Sequence, residues 1–336
     1  MDSKPTVICL TPIKNEAWIL DRFLQCASLW ADLIIVADQN SEDGSREIAR
    51  RYPKVILIEN SASNFNEPER QKLLLEAARK IPGPRLLIAL DADEMLTANF
   101  MYSPEWTTVL KSPPGTVIEF EWANLNPDFS SYWTMNNFYL PLGFMDDGSD
   151  HIGNKIHSPR LPVPIDATRV RLRNIRVLHY QDVNWERMKS KQRWYQCWEK
   201  LNQSWRKSIE IYRIYHHMDT ISKQECQSLP KEWLFNYEEQ GIDMTSVQRE
   251  PFFWWDRDIL LWFEKHGTEN FRKQAIWDVD WSDLSQKCFP DGDNRIYKDP
   301  RNWLDKLIHT WLKKTQHIRS KLWVKAIDKL LTFLKW

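Results

Sequence analysis

Leu86 to Leu90 is an unbroken apolar run of strand length, set off by Pro82, Gly83 and Pro84 and followed at once by Asp91, Asp93 and Glu94. Such a run is buried on both faces, as a strand inside a parallel sheet is. Carboxylates at the carboxyl end of a buried strand are costly unless a cation meets them. The natural cation is a hard divalent ion, Mg2+ or Mn2+, which shares its shell with phosphate oxygens. In open α/β sheets, ligands sit outside the carboxyl ends of the strands. An acidic surface loop would carry the same Asp-x-Asp, so the reading turns on the segments that converge with it.

Those segments precede it. Val7–Leu10 reads as a first strand, ended by Thr11 and Pro12, and Leu20, Phe23, Leu24 and Ala27 then fall on one helical face. Leu33–Ala37 is a second strand, ending on Asp38-Gln39-Asn40-Ser41. A short helix to about Tyr52 follows, with Ser41 or Asp43 as the expected cap. Val55–Ile58 is a third strand. Asn66-Glu67-Pro68-Glu69 is a helix start, with Asn66 as cap and Pro68 in the first turn. Strand and helix therefore alternate, which predicts a parallel sheet with right-handed crossovers. The polar clusters after strands one, two and four should open onto one crevice.

Composition narrows the class. Forty-six basic residues balance forty-six acidic ones, so no global field draws nucleic acid, and no nucleic-acid partner is expected. Glycine-rich dinucleotide and P-loop signatures are missing after strand one, against an oxidoreductase or a P-loop nucleotidase. Five scattered cysteines form no Cys-x-x-Cys pair, which fits a reducing cytoplasmic compartment. The amino terminus runs straight into a strand with no signal peptide pattern, and no apolar run is long enough to span a bilayer.

Thr11-Pro12-Ile13-Lys14-Asn15-Glu16, Ile34 to Ser45, and Leu90-Asp91-Ala92-Asp93-Glu94 together resemble family 2 glycosyltransferases of the GT-A fold, over about residues 5 to 180. The resemblance implies a nucleotide-diphosphate-sugar donor, a divalent metal and usually inversion at the anomeric carbon. Carried over by position, it implies that Thr11, Pro12 and Glu16 line the nucleotide pocket, with Asp38 beside the base or ribose. Gln39 stands where the family usually has a second acid; an amide both donates and accepts, whereas a carboxylate only accepts. Arg70 matches the family's arginine near the diphosphate. Asp93 would be the main metal ligand, with Asp91 on ribose or metal-bound water. Glu94 would support the loop.

Val117–Trp122 alternates as a strand does, and the aromatic stretch from Asn124 to Phe144 suits an acceptor-binding loop. An inverting transfer needs a base on the acceptor hydroxyl. Asp146, Asp147 and Asp150 are the candidates. Lys155 to Leu161 looks like the family's basic strand near the diphosphate, with Lys155 as the phosphate-side cation. Arg173 to Tyr180 looks like a last strand ending in His179, which the resemblance makes a third metal ligand; imidazole favours Mn2+ over Mg2+.

Nineteen tryptophans are present, most of them after residue 180. Trp185 to His217 reads as amphipathic helix. From Asn302 to Trp336 an apolar stripe from Leu304 to Leu334 lies among lysines, Lys335 included, and suits either a membrane interface or a docked helix. The expected plan is a GT-A domain over 1–183 (nucleotide half 1–97, acceptor half 98–183), a helical region over 184–300 and a basic amphipathic segment over 301–336. The expected activity is metal-dependent transfer to a glycan or lipid-linked acceptor, in the cytoplasm or peripherally at the inner face of the membrane. A non-catalytic carbohydrate- or membrane-binding protein and a nucleotidyltransferase are the alternatives.

Overall fold

The expected alternation is present in a computed structural model of the chain: β1 (Thr6–Ile13), α1 (Ala17–Ser28), β2 (Leu33–Asp38), α2 (Ser45–Arg50), β3 (Val55–Glu59), α3 (Glu67–Arg79) and β4 (Arg85–Ala89). Next come β5 (Glu94–Leu96), α4 (Pro104–Leu110), β6 (Val117–Leu125), β7 (Ser131–Trp133), β8 (Tyr139–Met145), β9 (Arg169–Arg171) and β10 (Val177–His179). The remainder holds α5 (Trp185–Asn202), α6 (Ser208–Tyr215), β11 (Cys226–Ser228), α7 (Phe235–Glu239), α8 (Trp254–His266), α9 (Trp281–Cys288), α10 (Trp303–Thr315) and α11 (Leu322–Phe333). The structure describes residues 4–62, 66–135, 137–203, 205–248, 250, 252–290, 296–334 and 336. Residues 1–3 of the amino terminus and Lys335 of the basic stripe lie outside them.

The chain divides into two units. The first runs to Val183 and takes back Cys226–Gln248; the second holds Asn184–Glu225 and the residues from 250 on. The expected regions 184–300 and 301–336 are therefore arranged differently. Residues 226–248 belong with the sheet, where β11 pairs β7, and α10 and α11 belong with the other helices of the second unit.

In the first unit the strands run β11-β7-β6-β8-β4-β1-β2-β3. β3, β2, β1 and β4 are mutually parallel, whereas β8 lies antiparallel between β4 and β6. This is the expected α/β class, with a mostly parallel central sheet flanked by helices. Period-two alternation distributes the strands' side chains. Val7, Cys9, Ile34, Val36, Leu86 and Ile88 pack in the cluster that holds Leu20, Phe23 and Leu24 of α1. Ile8, Leu10, Ile35, Ala37, Leu87 and Ala89 pack in the cluster that holds Leu74, Leu75 and Ala78 of α3. Each fully buried Leu, Ile or Phe contributes roughly 1.5–3 kcal/mol, so both helices are fixed by the runs that define the strands.

The stretch from Asn124 to Phe144, expected as an acceptor-binding loop, is largely strand, with Met135 and Phe138 exposed between β7 and β8. It finishes β6, forms β7 and enters β8, and Tyr132 and Trp133 are buried. Within the second unit, α6, α10 and the chain end share a cluster of Ile209, Tyr212, Ile308, Leu312 and Trp336. Among the described residues, no helix is long and apolar enough to cross a membrane.

Candidate active site

Register brings the polar segments to one edge. Ile13 lies opposite Asp38, Asp38 opposite Glu59, and Leu10 opposite Ala89, so the loops after β1, β2, β3 and β4 all open at the carboxyl end of the sheet. The ladder to β4 ends at Leu10, and Pro12 lies beyond it, where its missing N–H interrupts no pairing with β4. Thr11 is buried, and its hydroxyl oxygen has no hydrogen-bond partner.

The first two loops are laced together. Asn15 adopts a left-handed conformation at φ 55°, which asparagine tolerates. Its N–H donates to Ser41 Oγ at 2.9 Å, and its Oδ1 accepts from the Glu42 N–H at 2.8 Å. The Glu16 N–H donates to Ser45 Oγ, and the Ala17 N–H to Asp43 Oδ2. Ser41 therefore serves the approach to α1, whereas Asp43 serves both helices: its Oδ1 also accepts the Ser45 N–H at 3.0 Å, at the first residue of α2, which begins after Gly44 at φ 92°. Asn66 precedes α3 as expected but makes no side-chain cap bond. Glu16 accepts from Trp18 Nε1 at 2.8 Å. Asp38 is fully buried; its carboxylate receives the Ser41 N–H, with Arg46 Nε 3.0 Å away as a charge contact, which makes it a support of the loop rather than a surface for a base or ribose. Gln39 donates to the Ala62 carbonyl at 2.9 Å.

The cation that meets the acids after β4 is a side chain of this chain. Arg160, only 14% exposed, donates to Asp91 Oδ2 at 2.7 Å, to Glu94 Oε1 at 2.8 Å, to Glu94 Oε2, and to the Ala89 carbonyl at 3.3 Å. Burial pushes the Glu94 carboxyl up to about 7 against the pull of Arg160. Burial would lower the Arg160 pKa, but Asp91 and Glu94 raise it above its ordinary value, so the guanidinium stays charged. Asp91, expected on ribose or metal, thus has its Oδ2 in an ion pair with Arg160.

Asp93 faces elsewhere. His179 lies across from Glu94 on β5 and beside Asn124 on β6. The Asn124 amide nitrogen donates to the Trp133 carbonyl, which turns its oxygen to His179 Nδ1 at 2.8 Å. In the neutral ring the proton is therefore on Nδ1, and the lone pair is on Nε2, 3.9 Å from Asp93 Oδ2. Trp122 stacks on the imidazole at 4.6 Å between centroids and fixes its plane. Asp93 Oδ2 and His179 Nε2 are the oxygen and nitrogen donors here that could hold one divalent ion. Among the described residues, no three His, Cys, Asp or Glu side chains form a set that could hold a metal alone. Asp182 stands just after this strand, buried, with Oδ2 accepting from Trp133 Nε1 at 3.1 Å and Oδ1 without a partner.

The expected bases are at the wrong end. β8 runs antiparallel to β4, so Met145 pairs Leu86 and the Asp146 N–H donates to the Arg85 carbonyl. That is the amino end of β4, six residues and roughly 20 Å of strand from Asp91. Asp146 is buried between Arg79 at 2.9 Å and Arg85 at 2.9 Å. Burial pushes its carboxyl up, but hydrogen bonds from the two arginines win and hold it below the usual range. Asp147 accepts from the Ser149 N–H and lies against Gly115, at the same end. Asp150 follows directly from Ser149, whose carbonyl is held by Arg79. None of the three is with the acids after β4.

The chain then returns. The Lys155 carbonyl accepts from the Glu67 N–H, and the Ser158 N–H donates to Glu67 Oε2, which places this segment at the start of α3, at the carboxyl edge. Arg70 lies in the first turn of the same helix, half-buried, and Lys155 is exposed. The segment from Lys155 to Leu161 is not a strand. Arg160, Asn124 and Asp182 escaped assignment from sequence. The one signal for Arg160 was the demand of buried Asp91 and Glu94 for a cation, which named no partner.

No protein-family model matches the chain, and no curated protein does. Among solved structures it is similar to GalNAc-T7 crystallised with UDP, GalNAc and Mn2+, at 13% identity and TM-score 0.35. That match covers 79% of this chain and 58% of the other. It is also similar to 4-diphosphocytidyl-2C-methyl-D-erythritol synthase, at 12% identity and TM-score 0.30, covering 43% of this chain and 74% of the other.

Proposed function

We propose that the chain is a glycosyltransferase that binds a nucleotide-diphosphate sugar at the carboxyl edge of the sheet and moves the sugar to an acceptor hydroxyl. The observation that carries this is the pairing of Asp93 Oδ2 with His179 Nε2, 3.9 Å apart, at the edge where the loops after β1 and β2 open. Asp93 and His179 would hold Mn2+ or Mg2+, and a bound ion supplies neutralisation of the charge that grows on the departing diphosphate. Arg70 and Lys155 are the cations of this edge suited to the same phosphates. Arg160 keeps Asp91 and Glu94 neutralised, so they do not repel the incoming anion. The acceptor's proton goes to a carboxylate at this edge, for which Asp182 replaces Asp146, Asp147 and Asp150 as candidate. A nucleotidyltransferase is disfavoured because its glycine-rich basic loop after β1 is replaced by the Asn15–Glu16 turn.

A thermal-shift panel of UDP, GDP, CMP and dTDP, each with and without Mn2+, tests the reading. Ligand at about 100 times its dissociation constant adds about 2.7 kcal/mol and raises the midpoint by several degrees. At least one nucleotide should shift the midpoint in a Mn2+-dependent way, and Asp93→Asn should lose that shift while its ligand-free midpoint stays near the parent's. No shift with any nucleotide would overturn the proposal.

A further inference from the structure

We propose that the outward face of α10 and α11 lies in the headgroup region of an anionic lipid bilayer. At 100° per residue, Leu322, Trp323, Ala326, Leu330, Phe333 and Leu334 fall within an arc of about 120° on α11. All six are exposed, Leu322 and Phe333 by more than four-fifths. Val324 on the inner side is buried, so the helix is seated in its unit with this arc turned out. On α10, Trp303, Leu304 and Leu307 are exposed in the same manner, while Ile308 and Leu312 are buried. The two outward faces are continuous, because Trp311 meets Trp323 edge-to-face at 5.7 Å.

Charge selects the occupant. Lys321, Lys325 and Lys329 recur every fourth residue along one border of the α11 arc, and all are exposed. The acids of the segment are turned inward. Asp305 is buried and accepts from Trp336 Nε1 at 2.9 Å, and Asp328 is paired with Arg213 of α6 at 2.9 Å. Arg213 also donates to the Leu312 carbonyl and to Thr315 Oγ1, so it fixes both helices together. An apolar arc bordered by lysines, with tryptophans at its rim, matches an interface of acyl chains beneath anionic headgroups. A second copy of the chain would bring lysine against lysine, which is repulsive.

The test is co-sedimentation of the full chain with phosphatidylcholine vesicles that contain or lack phosphatidylserine. The protein should pellet with phosphatidylserine vesicles at low salt and leave them at high salt. Lys321→Gln, Lys325→Gln and Lys329→Gln together should weaken partitioning by on the order of a hundredfold, about fivefold each. Leu330→Ser with Phe333→Ser should abolish it at unchanged charge, and because both positions are exposed the unfolding midpoint should hold. Equal binding to vesicles without phosphatidylserine overturns the proposal. So does a triple glutamine variant that pellets like the parent. A dimer in sedimentation velocity that Leu330→Ser dissociates, without vesicle binding by the parent, assigns the face to a second copy instead.

Discussion

Arg160 decides what the acids after β4 do. A guanidinium fork matches carboxylates bidentately, and here it serves two of them at once, with Glu94 fully buried. Arg160→Met should therefore destabilise the first unit by roughly 3–5 kcal/mol, because it leaves buried carboxylate uncompensated. Glu94→Gln in the same chain should recover part of the loss. Urea denaturation of the single and double variants measures both, and a single variant as stable as the parent would remove the ion pair from the account. The pairing was illegible in sequence because 66 residues separate Arg160 from Glu94 and 69 separate it from Asp91. Asp93 was legible for the opposite reason: its place depends only on where β4 ends.

At the scale of elements, the parallel half of the sheet was readable because each strand is an uninterrupted apolar run and each helix shows one apolar face. The direction of β8 was not readable. An acidic, glycine-containing loop after an apolar strand looks the same whichever way the strand runs. Run antiparallel, β8 delivers Asp146 to the amino end of β4, where it joins Arg79 of α3 to Arg85 of β4. Asp146→Asn should accordingly act on stability and not on turnover. We expect a loss on the order of 2 kcal/mol, below the value for a fully buried pair because both arginines reach solvent. Melting and rate measurements on one preparation separate the two effects; a fall in rate of a hundredfold or more at unchanged midpoint would restore Asp146 to chemistry. The helices after Val183 were legible as amphipathic segments only, since their buried polar partners, such as Arg213 with Asp328, lie 115 residues apart.

At the scale of the whole molecule, acid should weaken the fold in part through His309. Arg301 donates to its Nδ1 at 3.1 Å, and its Nε2 faces the Lys273 carbonyl at 3.2 Å, so the ring is held neutral. Burial is the main reason its pKa falls to about 4. A lowered folded-state pKa means that the contribution is complete above the ordinary value near 6.5 and is lost as pH falls through 4. That is on the order of 3 kcal/mol over the window. Denaturant midpoints followed by tryptophan fluorescence from pH 7 to 4 measure it, since most tryptophans are in the second unit. His309→Gln should flatten the slope, and an unchanged slope would exclude the histidine. The division of the chain has a different consequence. The backbone passes from one unit to the other three times, after Val183, after Glu225 and after Gln248. The returning segment supplies β11, the Tyr237 hydroxyl bond to the Leu96 carbonyl, and the Met244 carbonyl that receives Tyr180. Neither unit is therefore a continuous gene segment: a chain stopped at Val183 lacks an edge strand and two anchors of its core, whereas a single protease nick at one crossing leaves both halves tied by the other two.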